Sequence, residues 1–401
     1  MGLEKIDSIP IIDAHVHGVD PWYWIKYVGT FPFGIFLEKP NPSMLLNKRK
    51  TYIEGYRTIY DFPYDDLTPE NEKELDDLWK ASIGDNEAGY VLKAYEKAGV
   101  ESAIEMCLSG PELPPGLGKD RFRMAVLLDG LMLPLDNSQM GQNERAKQFI
   151  TMGENYRNIL LEKYKPSSFD EYMDMVNRGI KDLIDLGVVS LKFNFPYWRD
   201  IKVDIIEKED AVKVWDSKDS SPAAYKKLQD YILRIIMTKA AETGLPVQIH
   251  SGGIGITQQL YKTDPLSLED LLWLPEVKPA KVVLLHGAYP YYQTLGYMAS
   301  RTVNAPNIYI DMSMFIHSLA GTPQSTVPIL REWLQNGLED KIMYGSDGFT
   351  VLAIWMGAVN ARKAIKMALE GMISDGYIDE DRALVIAEKI LRGNAIKLYN
   401  L

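Results

Sequence analysis

The stretch Ile11-Ile12-Asp13-Ala14-His15-Val16-His17-Gly18 decides the reading of the fold, because it places two histidines on one face of one strand. Side chains alternate along a strand with period two, so Asp13, His15 and His17 point one way and Ile12, Ala14 and Val16 the other. The apolar set suits packing against helices. Neutral imidazoles are good ligands for zinc and related transition metals, and i, i+2 spacing lets both reach one ion. A His-x-His taken alone is equally two ordinary histidines near an N-terminal strand. The weight for a metal comes from where the other histidines fall.

Composition bounds the rest. The chain has 401 residues, room for one large α/β domain or two average ones. Hydrophobic residues make up 46% and charged residues 25%, ordinary for a soluble globular protein. A net charge of −11 gives no electrostatic support for a nucleic-acid partner. Cys107 is the only cysteine, so neither an intramolecular disulfide nor a thiolate zinc cluster is available. The segment from Met1 to Pro10 lacks the apolar core of a signal peptide. No apolar run approaches the ~20 residues that span a bilayer. These features predict a cytoplasmic protein without a membrane partner, acting on a small molecule, with a homo-oligomer left open.

Short β-branched and apolar runs alternate with helical patterns, which argues for a parallel sheet with crossover helices. The predicted strands are Pro10–His17, Val100–Leu108, Arg121–Leu128, Val188–Asn194, Pro246–His250, Lys281–His286, Asn307–Met312 and Lys341–Asp347. Eight strands with intervening helices in this length favour a (β/α)8 TIM barrel over an open sheet with a helical second domain. The expectation is a single domain over residues 1–401. Ser221-Pro222 predicts an N-cap and first-turn proline, followed by Tyr225, Leu228, Ile232, Ile235 and Ile236 at helical spacing and a terminating Gly244. Phe169 to Leu186 repeats that design, with Tyr172, Met175, Val176, Ile180, Leu183 and Ile184 as its apolar stripe and Gly187 closing it. Asp379 to Leu398 predicts a C-terminal helical segment.

Two insertions break the short-loop pattern, at about 19–89 after strand one and 131–165 after strand three. The first shows no strand and is rich in aromatics, including Trp22, Trp24, Tyr56, Tyr60 and Phe62. The second is polar and reads as helical in part. Long loops of this kind are lids or binding loops, decoration, or oligomer contacts. In a barrel, loops leaving the strand C-termini surround the active site.

The chain has five histidines, and four stand at the predicted C-terminal ends of strands one, five and six: His15, His17, His250 and His286. Strand eight ends in Tyr344-Gly345-Ser346-Asp347. Unrelated core histidines would have no reason to share that location, whereas a barrel gathers such strand ends on one rim. Taken together, Asp13-Ala14-His15-Val16-His17, Gln248-Ile249-His250, Leu285-His286 and Tyr344-Gly345-Ser346-Asp347 resemble the amidohydrolase superfamily. Ile390 to Tyr399 is similar to the closing helix of its amidohydrolase-related branch. His286-Gly287-Ala288-Tyr289-Pro290 and Gly345-Ser346-Asp347-Gly348 resemble the amidohydrolase-like domain fused to glutamine synthetase-like proteins.

The resemblance implies a metal, expected to be zinc, with His15, His17, His250 and Asp347 as ligands. It leaves Lys192 on strand four open. A carboxylated Lys192 would bridge two ions, with His15, His17 and Asp347 at one and His250 and His286 at the other. An ammonium would bind a substrate carboxylate beside a single ion. A buried structural ion pair, with Asp13 for instance, is the third reading, since an inward lysine in an apolar strand is costly unless paired. One ion is favoured, because nothing in the sequence demands two.

A bound Zn²⁺ brings the pKa of its water to about 7. The resemblance implies that Asp347 takes a proton from that water and passes it to the leaving group. His286, when not a ligand, is expected to polarise the scissile carbonyl or act as general acid. Arg199 suits a substrate carboxylate, or equally a surface ion pair, and Trp22, Trp24 and Trp198 suit a planar or apolar portion. Asp311 and His317 are further candidates for the cavity, though His317 reads better as an ordinary loop histidine. Cys107 reads as core packing.

The leading expectation is a metal-dependent hydrolase of an amide or related C–N bond on a small carboxylate-bearing molecule. A metal-dependent decarboxylase is the alternative, followed by a sugar-acid isomerase. A non-enzymatic metal-binding module is disfavoured, because structural zinc sites draw four ligands from short spacings.

Overall fold

The computed structural model describes residues 2–17, 45–83, 87–108, 110–114, 116–138, 140–141, 143–255, 258–301, 304–313 and 323–401. Trp22, Trp24 and His317 lie outside these residues. All eight expected strands are present: β1 (Ile11–Val16), β2 (Val100–Cys107), β3 (Phe122–Leu127), β4 (Val188–Phe193), β5 (Val247–Ile249), β6 (Lys281–Leu284), β7 (Asn307–Asp311) and β8 (Ile342–Met343). They form one sheet in the order β1 to β8, and the strand pairs β1–β2 and β3 through β7 run parallel. With its intervening helices this is the (β/α)8 TIM barrel expected from the sequence.

The chain divides into two compact units. The first comprises Met1–Glu105, Leu113–Phe122 and Met312–Ile396. Every residue of its β1 is buried. Strand β8 is shorter than the expected Lys341–Asp347. Beyond Met343 the chain follows β1 irregularly, with Tyr344 O accepting from Ala14 N at 3.0 Å and Asp347 N donating to His15 O at 2.8 Å. Asp347 takes a left-handed backbone, φ 49°, which ends any extended strand there. The helix Val351–Ser374 follows, capped by Thr350, whose hydroxyl accepts from Ala353 N at 3.1 Å.

The described part of the first insertion is helical, with Leu46–Tyr60, Glu72–Ile83 and Glu87–Ala98. Its aromatics Tyr56, Tyr60 and Phe62 are buried, so they serve packing, with Tyr56 edge-on to Phe62 at 6.0 Å.

The second unit comprises Met106–Glu112, Arg123–Asp311 and Lys397–Leu401. The 131–165 insertion holds the helix Glu144–Tyr164, as its composition suggested. The helix Phe169–Asp185 begins at Ser168, whose side chain accepts from Glu171 N. Tyr172, Met175, Val176, Ile180 and Leu183 are buried as the stripe required, but Ile184 is 38% exposed. A stripe assigned by spacing alone is too wide by that residue. The helix Pro222–Thr243 starts at Pro222 and ends at Gly244, whose φ of 70° suits glycine. Ser221 sits at its N-cap position without a side-chain cap bond. Among the described residues no helix is long and apolar enough to cross a membrane.

Candidate metal centre

In the first unit, β1 carries His15 and His17 at i, i+2, and the irregular segment after β8 carries Asp347. Their ligand atoms lie within 4.8 Å of one another, and all three residues are buried. His17 Nε2 is 2.6 Å and His15 Nε2 3.5 Å from Asp347 Oδ1. His15 Nδ1 shares a hydrogen bond with Ser313 Oγ at 2.9 Å, which orients the ring so that Nε2 meets the carboxylate. His17 stacks on Phe349, with ring centroids 4.0 Å apart and planes 17° from parallel.

Asp13, on the same strand, turns inward to the backbone. Its Oδ1 accepts from Ser346 N at 2.8 Å and from His15 N at 3.3 Å. Burial pushes its pKa up to about 8 against the pull of those hydrogen bonds. Asp13 therefore ties strand one to the Ser346–Asp347 segment.

Two imidazoles and a carboxylate, converging in a buried position, are a fitting donor set for a borderline divalent cation such as zinc. The Ser313 contact supplies the outer partner that ligating histidines ordinarily have.

In the second unit, His250 Nδ1 and His286 Nε2 are hydrogen-bonded at 2.9 Å. His286 has φ 61°, and its backbone N donates to Asp311 Oδ1 at 3.1 Å. Left-handed backbone at a histidine is uncommon and collects at functional sites. The Tyr197 ring lies 4.3 Å from that of His250. Lys192 on β4 is 1% exposed, opposite Leu127 on β3 and Gln248 on β5.

Asp129 is not among the site residues the sequence analysis names. It is fully buried just after β3 and accepts from Asn194 N at 2.7 Å and from the Trp198 indole at 3.2 Å. Burial pushes its pKa up to about 7, opposed by those two bonds and by the charge of Lys192. The signal was available, since Leu128-Asp129-Gly130 puts a carboxylate at the C-terminal end of a predicted strand. Ser313, Phe349 and Tyr197 had no comparable signal.

Arg199 is buried and paired with Asp230, Nη1 to Oδ1 at 2.6 Å, with its guanidinium carbon 4.8 Å from the Phe195 ring centroid. Cys107 is buried within the core.

Comparison with known proteins accords with this picture. The sequence profile of the amidohydrolase family matches residues 176–401, more than half of the chain. The protein FluG of Emericella nidulans is 28% identical over 183 residues, 44% of this chain, and the match spans only 20% of FluG. A Lactobacillus casei protein assigned as a metal-dependent hydrolase superposes with a TM-score of 0.69 at 19% identity, covering 99% of this chain and 96% of that one. Uronate isomerase of Thermotoga maritima gives 0.68 at 14%, covering 99% and 96%. Glucuronate isomerase of Caulobacter crescentus gives 0.65 at 14%, covering 100% and 93%.

Proposed function

Because the chain belongs to the amidohydrolase family, we propose that it is a metal-dependent hydrolase of an amide or related C–N bond on a small carboxylate-bearing molecule. The observation that carries this reading is the buried convergence of His15, His17 and Asp347. These residues would hold a divalent cation, with zinc the best fit to the donors. Such a cation supplies Lewis acidity and brings the pKa of a coordinated water to about 7.

The chain's own residues supply the proton chemistry. Asp347 accepts a proton at a carboxylate oxygen and returns it to the leaving amine. The His250–His286 hydrogen bond fixes one ring against the other and couples the protonation of the two imidazoles. Lys192 serves as an ammonium that pairs with a carboxylate of the substrate. One ion per chain follows from that choice.

A sugar-acid isomerase is the second reading. It is supported by whole-chain likeness to two uronate isomerases at TM-scores almost equal to that of the hydrolase. A decarboxylase on the same ligands is the third. The deciding experiment incubates the zinc-loaded chain with panels of N-acyl amino acids, γ-glutamyl amides, unsaturated acids and uronates. Released ammonia or amine supports the hydrolase. Released CO₂, or an aldose-to-ketose change without any released product, would replace it.

A further inference from the structure

The C-terminal helical segment is interrupted once. Between the helices Glu380–Glu388 and Asn394–Tyr399 lies a single π-helical turn, Lys389–Gly393. Asn394 N donates to Lys389 O, five residues back, where an α-helix would send it to Ile390 O. The Ile390 carbonyl is thereby released to a neighbour, and it accepts from Tyr344 N at 3.0 Å. Single π turns of this kind are rare and collect at functional sites.

Asn394 makes a second link to the same segment. Its side chain is buried, and Nδ2 donates to Ile342 O and to Glu339 O, both at 2.7 Å. Two carbonyls thus take both hydrogens of one amide, a pairing that aspartate would turn into repulsion and alanine would remove. Glu339 is also tied through its carboxylate, with Oε1 2.6 Å from Lys389 Nζ in the π turn. The chain entering and leaving β8 is therefore held at Glu339, Ile342 and Tyr344.

These contacts directly precede the segment that carries the carboxylate. From Tyr344 onward the chain bonds to β1 itself. Tyr344 O accepts from Ala14 N at 3.0 Å, Asp347 N donates to His15 O at 2.8 Å, and Gly348 O accepts from His17 N at 3.1 Å. Both imidazoles and Asp347 belong to one backbone register, and that register begins where β8 meets the π turn. A slip of one residue would carry the Asp347 side chain to the opposite face.

We propose that Asn394 is a positioning residue for the metal centre: with the π turn it fixes Ile342–Tyr344 in register with β1 and so places Asp347 Oδ1 beside His17 Nε2. The proposal rests on the reading of His15, His17 and Asp347 as ligands of a divalent cation. Asn394 acts on that site through the backbone.

Zinc affinity and the visible absorption of the cobalt-loaded chain test it, in wild type, Asn394→Ala and Ile180→Ala. Ile180 is fully buried in the second unit, so its variant reports what lost packing alone does to metal binding. Asn394→Ala should raise the zinc dissociation constant by at least about tenfold, as loss of an outer partner does, and shift the cobalt absorption. Ile180→Ala should keep both at the wild-type values. Asn394→Ser retains one donor and should fall between, and it decides the matter if Asn394→Ala does not fold. A folded Asn394 variant with wild-type zinc affinity and cobalt absorption would overturn the proposal, as would Ile180→Ala weakening zinc equally. Wild type that binds neither ion would overturn it together with the metal-centre reading, a result distinct from the other two.

Discussion

His17 Nε2 lies 2.6 Å from Asp347 Oδ1, although 330 residues of chain separate the two. The contact depends on an inward-facing position beside the end of β1 and on the left-handed backbone of Asp347. Asparagine tolerates that backbone better than most residues. Asp347→Asn should therefore fold normally and lose turnover by ~10²–10⁴-fold, the value of one acid–base group. Steady-state assay beside circular dichroism checks both halves. Unchanged turnover removes Asp347 as the proton carrier.

Ser313 holds His15 through Nδ1 at 2.9 Å. Outer partners of this kind are worth about 10–100-fold in metal affinity. Ser313→Ala should raise the zinc dissociation constant by that factor in competition with a chelating dye, with little change in thermal stability. An unchanged constant means the hydrogen bond does not orient a ligand.

Asp129 gives a pH dependence with a definite sign. Its folded pKa of about 7 lies above its ordinary value of 3.8, so the folded state holds a proton that the unfolded state has already released. Its contribution to stability is full below pH ~4 and is lost as pH rises through ~7. The shift corresponds to a fall on the order of 4 kcal/mol across that window. Urea denaturation of wild type and Asp129→Asn at pH 4.5 and 8 should show wild type losing stability relative to the variant as pH rises. A constant difference between them would contradict the burial of an ionisable carboxyl.

The helix Phe169–Asp185 separates buried from exposed positions of one stripe. Ile180 is fully buried and Ile184 is 38% exposed. Ile180→Ala should cost ~2–5 kcal/mol, and Ile184→Ala less than ~1 kcal/mol. Equal costs in parallel urea melts would place both side chains in the core.

Much of this was legible in the residues themselves. Apolar, β-branched runs bounded by glycine or proline marked every strand, because burial on both faces of a parallel strand demands such runs. Strand eight was overextended, since Lys341–Asp347 has the right residues but Asp347 departs from extended backbone for reasons no local pattern displays. The histidines were legible because imidazoles at strand ends are chemically conspicuous. Their supports were not. Ser313, Phe349 and Tyr197 are common residues that matter only through contacts with chain far away, whereas Asp129 stands at a strand end that the sequence itself displays. Arg199 is conspicuous as a cation just after β4, while the partner that takes its Nη1, Asp230, lies on the helix Pro222–Thr243 and has no sequence motif.

The most direct test is metal content. Wild type and His17→Ala are equilibrated with excess Zn²⁺, freed of unbound ion on a desalting column and analysed by plasma emission, with circular dichroism confirming that both are folded. The account predicts about one equivalent per chain in wild type and at most about a tenth of that in His17→Ala. Wild type that retains none, or a folded His17→Ala that retains as much as wild type, would contradict it.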